Sequence, residues 1–171
     1  MIFGKRFRIK ISIFMPEWEG VCLSYKDLKK LLNQIDPAKR DEGFRQFLKN
    51  EVEKMNDFFS RKEEEYRERF QELKDEIAEL CSGEDATQVI MDLLQFHNQL
   101  VLLLHYHVLN CDGFLKIIKK YRKKTGRVFS LSFMQGDNQQ LVFIKKNSID
   151  NLLAECGETL RQLVHTQRSS D

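Results

Sequence analysis

With 171 residues, 42% of them hydrophobic and thirteen of them Phe, the chain holds enough apolar material for one domain with a sizeable core. Eight Gly and two Pro, set among long runs of Glu, Lys, Leu and Phe, weigh against a β protein and predict an all-α bundle. The 28 basic and 26 acidic residues nearly cancel to +2, so bulk charge selects no partner and only its segregation along the chain is informative.

The start is ambiguous. Phe7, Ile9, Ile11 and Ile13 alternate with polar residues as a strand would, whereas Phe3, Phe7 and Phe14 suit a helix; Pro16 ends either. In LSYKDLKKLL, Ser24 reads as an N-cap, Asp27 as its capping-box acid and Leu23 with Leu28 as a hydrophobic staple. The helix this predicts buries Leu28, Leu31, Leu32 and Ile35, and displays Tyr25, Lys26, Lys29 and Lys30 on its opening turns.

Residues 44–80 carry Leu48, Val52, Met55, Phe59, Tyr66, Phe70, Leu73, Ile77 and Leu80 in a 3/4 rhythm, which predicts one amphipathic helix about 55 Å long. After Ser82-Gly83-Glu84-Asp85, a second long helix, apolar on more of its circumference, is expected to run to about Asn110 through the bundle centre. A separate charged helix over 111–126 follows, closed by Gly126 as a C-cap. Residues 127–146 read as an irregular connection, and 149–164 as a last amphipathic helix.

The charged helix is the most informative segment: seven of the twelve residues over 116–127 are Lys or Arg. In FLKIIKKYRKK, Phe114, Ile117, Ile118 and Tyr121 recur at helical spacing, while Lys116, Lys119, Lys120 and Lys123 follow i, i+3, i+4, i+7. At 100° per residue these lysines span about 100° of one face, opposite the apolar stripe. Like charges so close repel, so either water screens the stripe or a polyanion occupies it.

Cys22, Cys81, Cys111 and Cys156 form no CxxC or CxH spacing and read as buried or half-buried thiols in a reducing compartment, without disulfides. MIFGKRFRIK lacks an apolar h-region, and the greasy stretch 89–109 is broken by Asp92, His97, Asn98, Gln99 and His105, so neither a secretion signal nor a membrane span is expected. The nucleus and/or cytoplasm follow as the expected location. His105 and His107 point about 200° apart on a helix, which argues against a shared metal ion. No catalytic constellation, Gly-rich phosphate loop, GxSxG or HExxH occurs, and no cofactor or enzymatic activity is expected.

MIFGKRF, PEWEGVCLSYKDLKKLL, FHNQLVLLLHYHVLN and LNCDGFLKIIKKYRKKTG together resemble the successive signature blocks of the SPX domain, including its KxxKKxxK helix. The likeness extends through FSLSFMQ and LLAECGETL, covers essentially the whole chain, and is greatest to the plant stand-alone SPX proteins. It implies an SPX-type helical bundle forming a single domain over 1–171: an N-terminal helical hairpin (1–35) packed on two long core helices (44–110), then the lysine-rich helix (111–126) and a C-terminal connection, smaller helix and tail (127–171).

The resemblance also implies a sensor of phosphate status that binds inositol polyphosphates and pyrophosphates. The family's phosphate-binding cluster falls on Tyr25, Lys29 and Lys120; Lys116, Lys119 and Lys123 match its neighbouring lysines, with Lys26 and Lys30 as additional candidates. Three positions depart from the usual pattern: Ile2 for a lysine, Asn33 where many members carry a lysine, and Arg122 for an aspartate. By analogy with the plant stand-alone members, the protein partner would be a phosphate-starvation transcription factor of the MYB coiled-coil type. SPX domains also stand as N-terminal regulatory modules of phosphate exporters, polyphosphate polymerases and ubiquitin ligases, which is the alternative setting.

Lysines suit phosphates that have no single fixed orientation, and a tyrosine hydroxyl adds a directional donor. Without the resemblance, a lysine face is more often simply solvated, and Tyr25 could be a packing residue. Direct nucleic-acid binding is disfavoured because Tyr121 belongs to the apolar stripe, so aromatics do not interleave with exposed basic residues. Phosphoinositide reading by the same lysines lacks an identifiable exposed apolar wedge.

Overall fold

The computed structural model describes residues 2–81, 83–128 and 147–169, and these form five α-helices with no strand among them. They are α1 (Phe3–Phe14), α2 (Tyr25–Gln34), α3 (Glu42–Glu79), α4 (Thr87–Thr125) and α5 (Asn147–Ser169), with a 3₁₀ helix over Pro16–Val21. The fold is all-α. The chain divides into two compact units, one of Met1–Phe59 with His105–Lys145 and one of Ser60–Leu104 with Lys146–Asp171. The irregular connection expected over 127–146 lies almost wholly outside the described residues.

The first unit holds the residues of interest. Helix wins over strand at the N-terminus because Phe7 and Ile11, spaced i, i+4, are buried, while Ile9 and Ile13 of the alternating pattern are left exposed. The helix ends before Pro16, which opens the 3₁₀ helix. Trp18 of that helix packs edge-on against Phe58 and Tyr106, at centroid distances of 5.2 and 5.9 Å, and the Tyr106 hydroxyl donates to the Val21 carbonyl at 2.6 Å.

Entry into α2 is fixed by Asn110, which is fully buried: its Oδ1 accepts from the Leu23 N–H at 2.7 Å and its amide donates to the Tyr106 carbonyl at 2.8 Å. Ser24 precedes α2 as expected, but its side chain makes no capping bond. Instead the Lys54 ammonium donates to Ser24 Oγ at 3.4 Å and to the Cys22 carbonyl at 2.9 Å, so a cation from α3 occupies the hydroxyl. Leu23 and Leu28 are both buried, as a staple requires, with Leu32; Leu31 and Ile35 are half-buried.

Helix α3 falls within two residues of its predicted span. The second long helix does not stop at Asn110, nor do 111–126 form a helix of their own: α4 runs unbroken through both to Thr125. Gly126 then closes it at φ +72°, its N–H donating to the Arg122 carbonyl at 2.9 Å, as the C-cap reading requires. By length and composition α4 could cross a membrane, with a window of mean hydropathy 1.3. Its composition is also that of a core helix, since Leu93, Phe96, Leu100 and Leu103 are all buried within the second unit.

In that second unit, Phe96 stacks on Phe70 at 5.7 Å and meets Tyr66 edge-on at 6.0 Å. Helix α5 extends beyond the predicted 149–164 at both ends and buries Ile149, Leu152 and Cys156, one face at i, i+3, i+7. The four cysteines are free thiols, and Cys81, expected to be at least half-buried, is exposed.

Candidate functional site

The last turns of α4 separate charge from apolar surface. Phe114, Ile117 and Tyr121 are buried, whereas Lys116, Lys119 and Lys123 are exposed and Lys120 is half-buried. The four lysines line one depression of about 320 Å³. Burial lowers the Lys120 pKa below the usual lysine value, and the charges of Lys29, Lys116 and Lys123 lower it further. Lys29 belongs to α2, so two segments far apart in sequence bring ammonium groups within electrostatic range. Among the described residues, no carboxylate forms an ion pair with Lys29 or with any lysine of the stripe.

Tyr25 departs from its expected place. It is not displayed beside Lys29 but is only 4% exposed, with its ring 5.0 Å from that of Phe3 and 5.8 Å from that of Phe7. The reason is α1, which lies over the start of α2: a Cβ on Gly4 would come within 3.1 Å of Tyr25 Cε1. The hydroxyl is buried without a hydrogen-bond partner among the described residues, and desolvation raises its pKa. Phe3 links this tyrosine to the stripe, because the Lys116 ammonium sits 5.8 Å from the Phe3 centroid. Tyr25 and Lys29 also line a larger cavity, about 470 Å³, with Phe7 and Leu23 among its apolar residues and Lys5 and Lys26 among its cationic ones.

A second group of residues escaped the sequence reading. The buried carboxylate of Asp41, just ahead of α3, accepts from the Tyr121 hydroxyl and from Arg45 Nε at 2.9 Å, and pairs with Arg127 Nη1 at 3.2 Å. Arg127 Nη2 donates to the carbonyls of Pro37 and Lys39 at 2.8 and 3.0 Å, and the Lys124 ammonium donates to the Asn33 carbonyl at 2.7 Å. Burial raises the Asp41 pKa, but the bonds from Tyr121 and Arg45 outweigh it and hold the carboxyl below the usual aspartate value. The signal available in the sequence was the Asp41–Arg45 spacing of i, i+4; nothing in it pointed to Tyr121.

His105 and His107 diverge as their spacing predicts: His105 is exposed and stacks on Phe14 at 6.3 Å, and His107 is buried against Phe59 at 5.4 Å. Among the described residues no group of His, Cys, Asp or Glu is arranged to hold a metal ion. The expectation that no exposed apolar residue stands near the basic surface is corrected at two positions: Leu115, next to Lys116, and Ile2, which lines the cavity shared by Lys26 and Lys29, are both more than half exposed.

Against curated proteins, the chain is 33% identical to SPX domain-containing protein 2 of Arabidopsis thaliana over 99% of its own length and 68% of the relative's. It belongs to the SPX domain-containing family. Similarity to SPX domain-containing protein 1 of Arabidopsis thaliana reaches 41% identity over 82% of the chain and 62% of that protein. SPX domain-containing protein 1 of Oryza sativa subsp. japonica is 35% identical over 99% of the chain and 68% of its own length. No family model matches. The SPX domain of Chaetomium thermophilum glycerophosphodiester phosphodiesterase 1, solved in complex with inositol hexakisphosphate, superposes with a TM-score of 0.75 at 24% identity, covering 94% of this chain and 98% of that one. The SPX fold is therefore shared over nearly all of both chains.

Proposed function

We propose that this SPX domain is a regulatory sensor of phosphate status, not an enzyme, and that its ligand is an inositol polyphosphate or pyrophosphate. The observation that carries the reading is the half-buried Lys120, crowded by Lys29, Lys116 and Lys123 with no ion-paired carboxylate to offset them among the described residues. A surface of that kind is stabilised by a ligand with several phosphates. Each charge-assisted bond contributes about 1.5–3 kcal/mol before ordering costs. Four to six such bonds give micromolar affinity, about −8 kcal/mol. One orthophosphate reaches too few of these groups to match that.

Lys29 and Lys120 are the central contacts, Lys116, Lys119 and Lys123 their extension, and Lys26 and Lys30 the flank. The Tyr25 hydroxyl, buried and unpartnered among the described residues, is the directional donor once the N-terminus of α1 shifts from over it. The solved SPX domain with bound inositol hexakisphosphate supports this ligand class, and so do the family relatives. Ile2 and Asn33 make the affinity differ from that of members with lysines there. Ligand binding fixes α2 against the end of α4 and thereby creates a surface for a protein partner, a MYB coiled-coil transcription factor in the nucleus or cytoplasm. The alternative setting, a regulatory module of a larger enzyme or transporter, is favoured by the solved SPX domain being part of a glycerophosphodiester phosphodiesterase.

Titration calorimetry at about 150 mM salt tests the ligand class. Inositol hexakisphosphate should bind at micromolar concentration or tighter and orthophosphate at millimolar. Comparable affinity for duplex DNA or for phosphoinositide vesicles would overturn the sensor reading; the vesicle arm matters because Leu115 stands exposed next to Lys116.

A further inference from the structure

The lysine stripe creates a mechanical problem at its own helix end. Cations suit the C-terminus of a helix, but four of them on the final turns of α4, with Lys29 near them on α2, repel across the gap and push the two segments apart. Holding the end of α4 beside α2 therefore needs a restraint that the stripe does not supply.

The restraint lies on the back of the helix. Tyr121 is about 150° around α4 from the middle of the stripe at 100° per residue. Its ring stacks on Phe44 at a centroid distance of 5.3 Å and an interplanar angle of 4°. Its hydroxyl donates to Asp41 and accepts from Arg45 Nη2 at 3.0 Å. Asp41 also grips Arg127, the second residue beyond Thr125, and Arg127 in turn holds two carbonyls of the segment joining α2 to α3. One buried carboxylate thus ties the start of α3, the end of α4 and the α2–α3 connection.

We propose that Asp41 is a positioning residue: through Tyr121 and Arg127 it clamps the end of α4 in register with α2, so that Lys120 is presented opposite Lys29. The clamp does not touch the ligand. It keeps the repelling ammonium groups converged before the ligand arrives, so less ordering remains to be done on binding. This rests on the proposed inositol polyphosphate site for its use, but the geometry it asserts belongs to the free protein.

That distinction sets the test. In the full chain with ¹³C-labelled lysine side chains, the Lys120 titration is followed in the free wild-type protein, Asp41→Asn and Tyr121→Phe, and inositol hexakisphosphate affinity is measured in parallel. Tyr121→Phe keeps the stacking on Phe44, so it reports on the clamp if Asp41→Asn does not fold. The expected result is that both variants remain helical at 20 °C, that Lys120 titrates at higher pH than in the wild type because its neighbours have moved away, and that affinity falls three- to tenfold. A network that only stabilised the fold would lower the melting temperature and leave the Lys120 titration unmoved, and that result in a folded variant overturns the proposal. Loss of folding in both variants overturns it as well, because the network would then be a folding determinant. If the wild type does not bind inositol hexakisphosphate, the ligand assignment fails while the Lys120 titration still decides the positioning role.

Discussion

A Cβ placed on Gly113 would lie 3.0 Å from Cε2 of Phe7, and at the same distance from Cδ2 of Leu23. Gly113 sits within α4, where alanine would be better by about 1 kcal/mol on helix propensity alone. The glycine is there because α1 and the entry to α2 press against the helix at that point. Phe7 is buried between Phe3 and Tyr25 and has little room to move. Gly113→Ala should therefore lose about 1 kcal/mol net, overpacking outweighing propensity, and Gly113→Val several times that. Urea unfolding followed by circular dichroism measures both; an alanine variant as stable as the wild type would contradict the packing argument.

The same glycine explains where the sequence misled. The greasy run was expected to end at about Asn110 and a separate lysine helix to follow, whereas α4 passes straight through Gly113, whose missing side chain serves packing from another part of the chain. Local patterns were legible: the α3 rhythm, the Gly126 stop and the split of lysines from Phe114, Ile117 and Tyr121 depend on residues a few positions apart. The burial of Tyr25 was not, because it is set by Phe3 and Gly4 of a different helix, and the i, i+4 spacing with Lys29 carries no information about that. Asp41 was invisible for the same reason, its hydroxyl partner standing 80 residues away.

Tyr25→Phe removes a buried hydroxyl that has no partner among the described residues, so the free protein should keep its stability or gain up to about 1 kcal/mol. Inositol hexakisphosphate binding should weaken severalfold, since the directional donor is gone. Tyr25→Ala, by contrast, empties a packed aromatic site and should cost about 3–5 kcal/mol. Thermal denaturation with and without ligand separates the two effects, and a Tyr25→Phe protein that unfolds would mean the hydroxyl has a structural partner.

Lys120 carries a penalty in the free protein. Its pKa is lowered by burial and by neighbouring cations, so the folded state disfavours its charged form at every pH below the folded value, and the penalty fades as pH rises towards the ordinary 10.5. Lys120→Met should raise the melting temperature slightly at neutral pH while weakening inositol hexakisphosphate at least tenfold. The stability gain should vanish in alkaline buffer. A melting temperature that drops on substitution at neutral pH would show that the ammonium is stabilising where it sits.

Asp41 behaves in the opposite sense. Its folded pKa lies below the ordinary 3.8, so its contribution is fully present above that value and is lost as pH falls through the folded one. The stability difference between wild type and Asp41→Asn should be constant from pH 7 to about pH 5 and shrink below about pH 4. Urea midpoints across that range test it; a difference that is still constant at about pH 2 would assign the effect to packing, not charge.

The claim on which the rest depends is that α2 and the end of α4 form one site. Backbone amide spectra of ¹⁵N-labelled protein, titrated with inositol hexakisphosphate, read this directly. The account predicts that the amides of residues 25–30 and 116–123 shift together and saturate at one ligand per chain. Shifts confined to 116–123, or the two segments responding at different ligand concentrations, would contradict it.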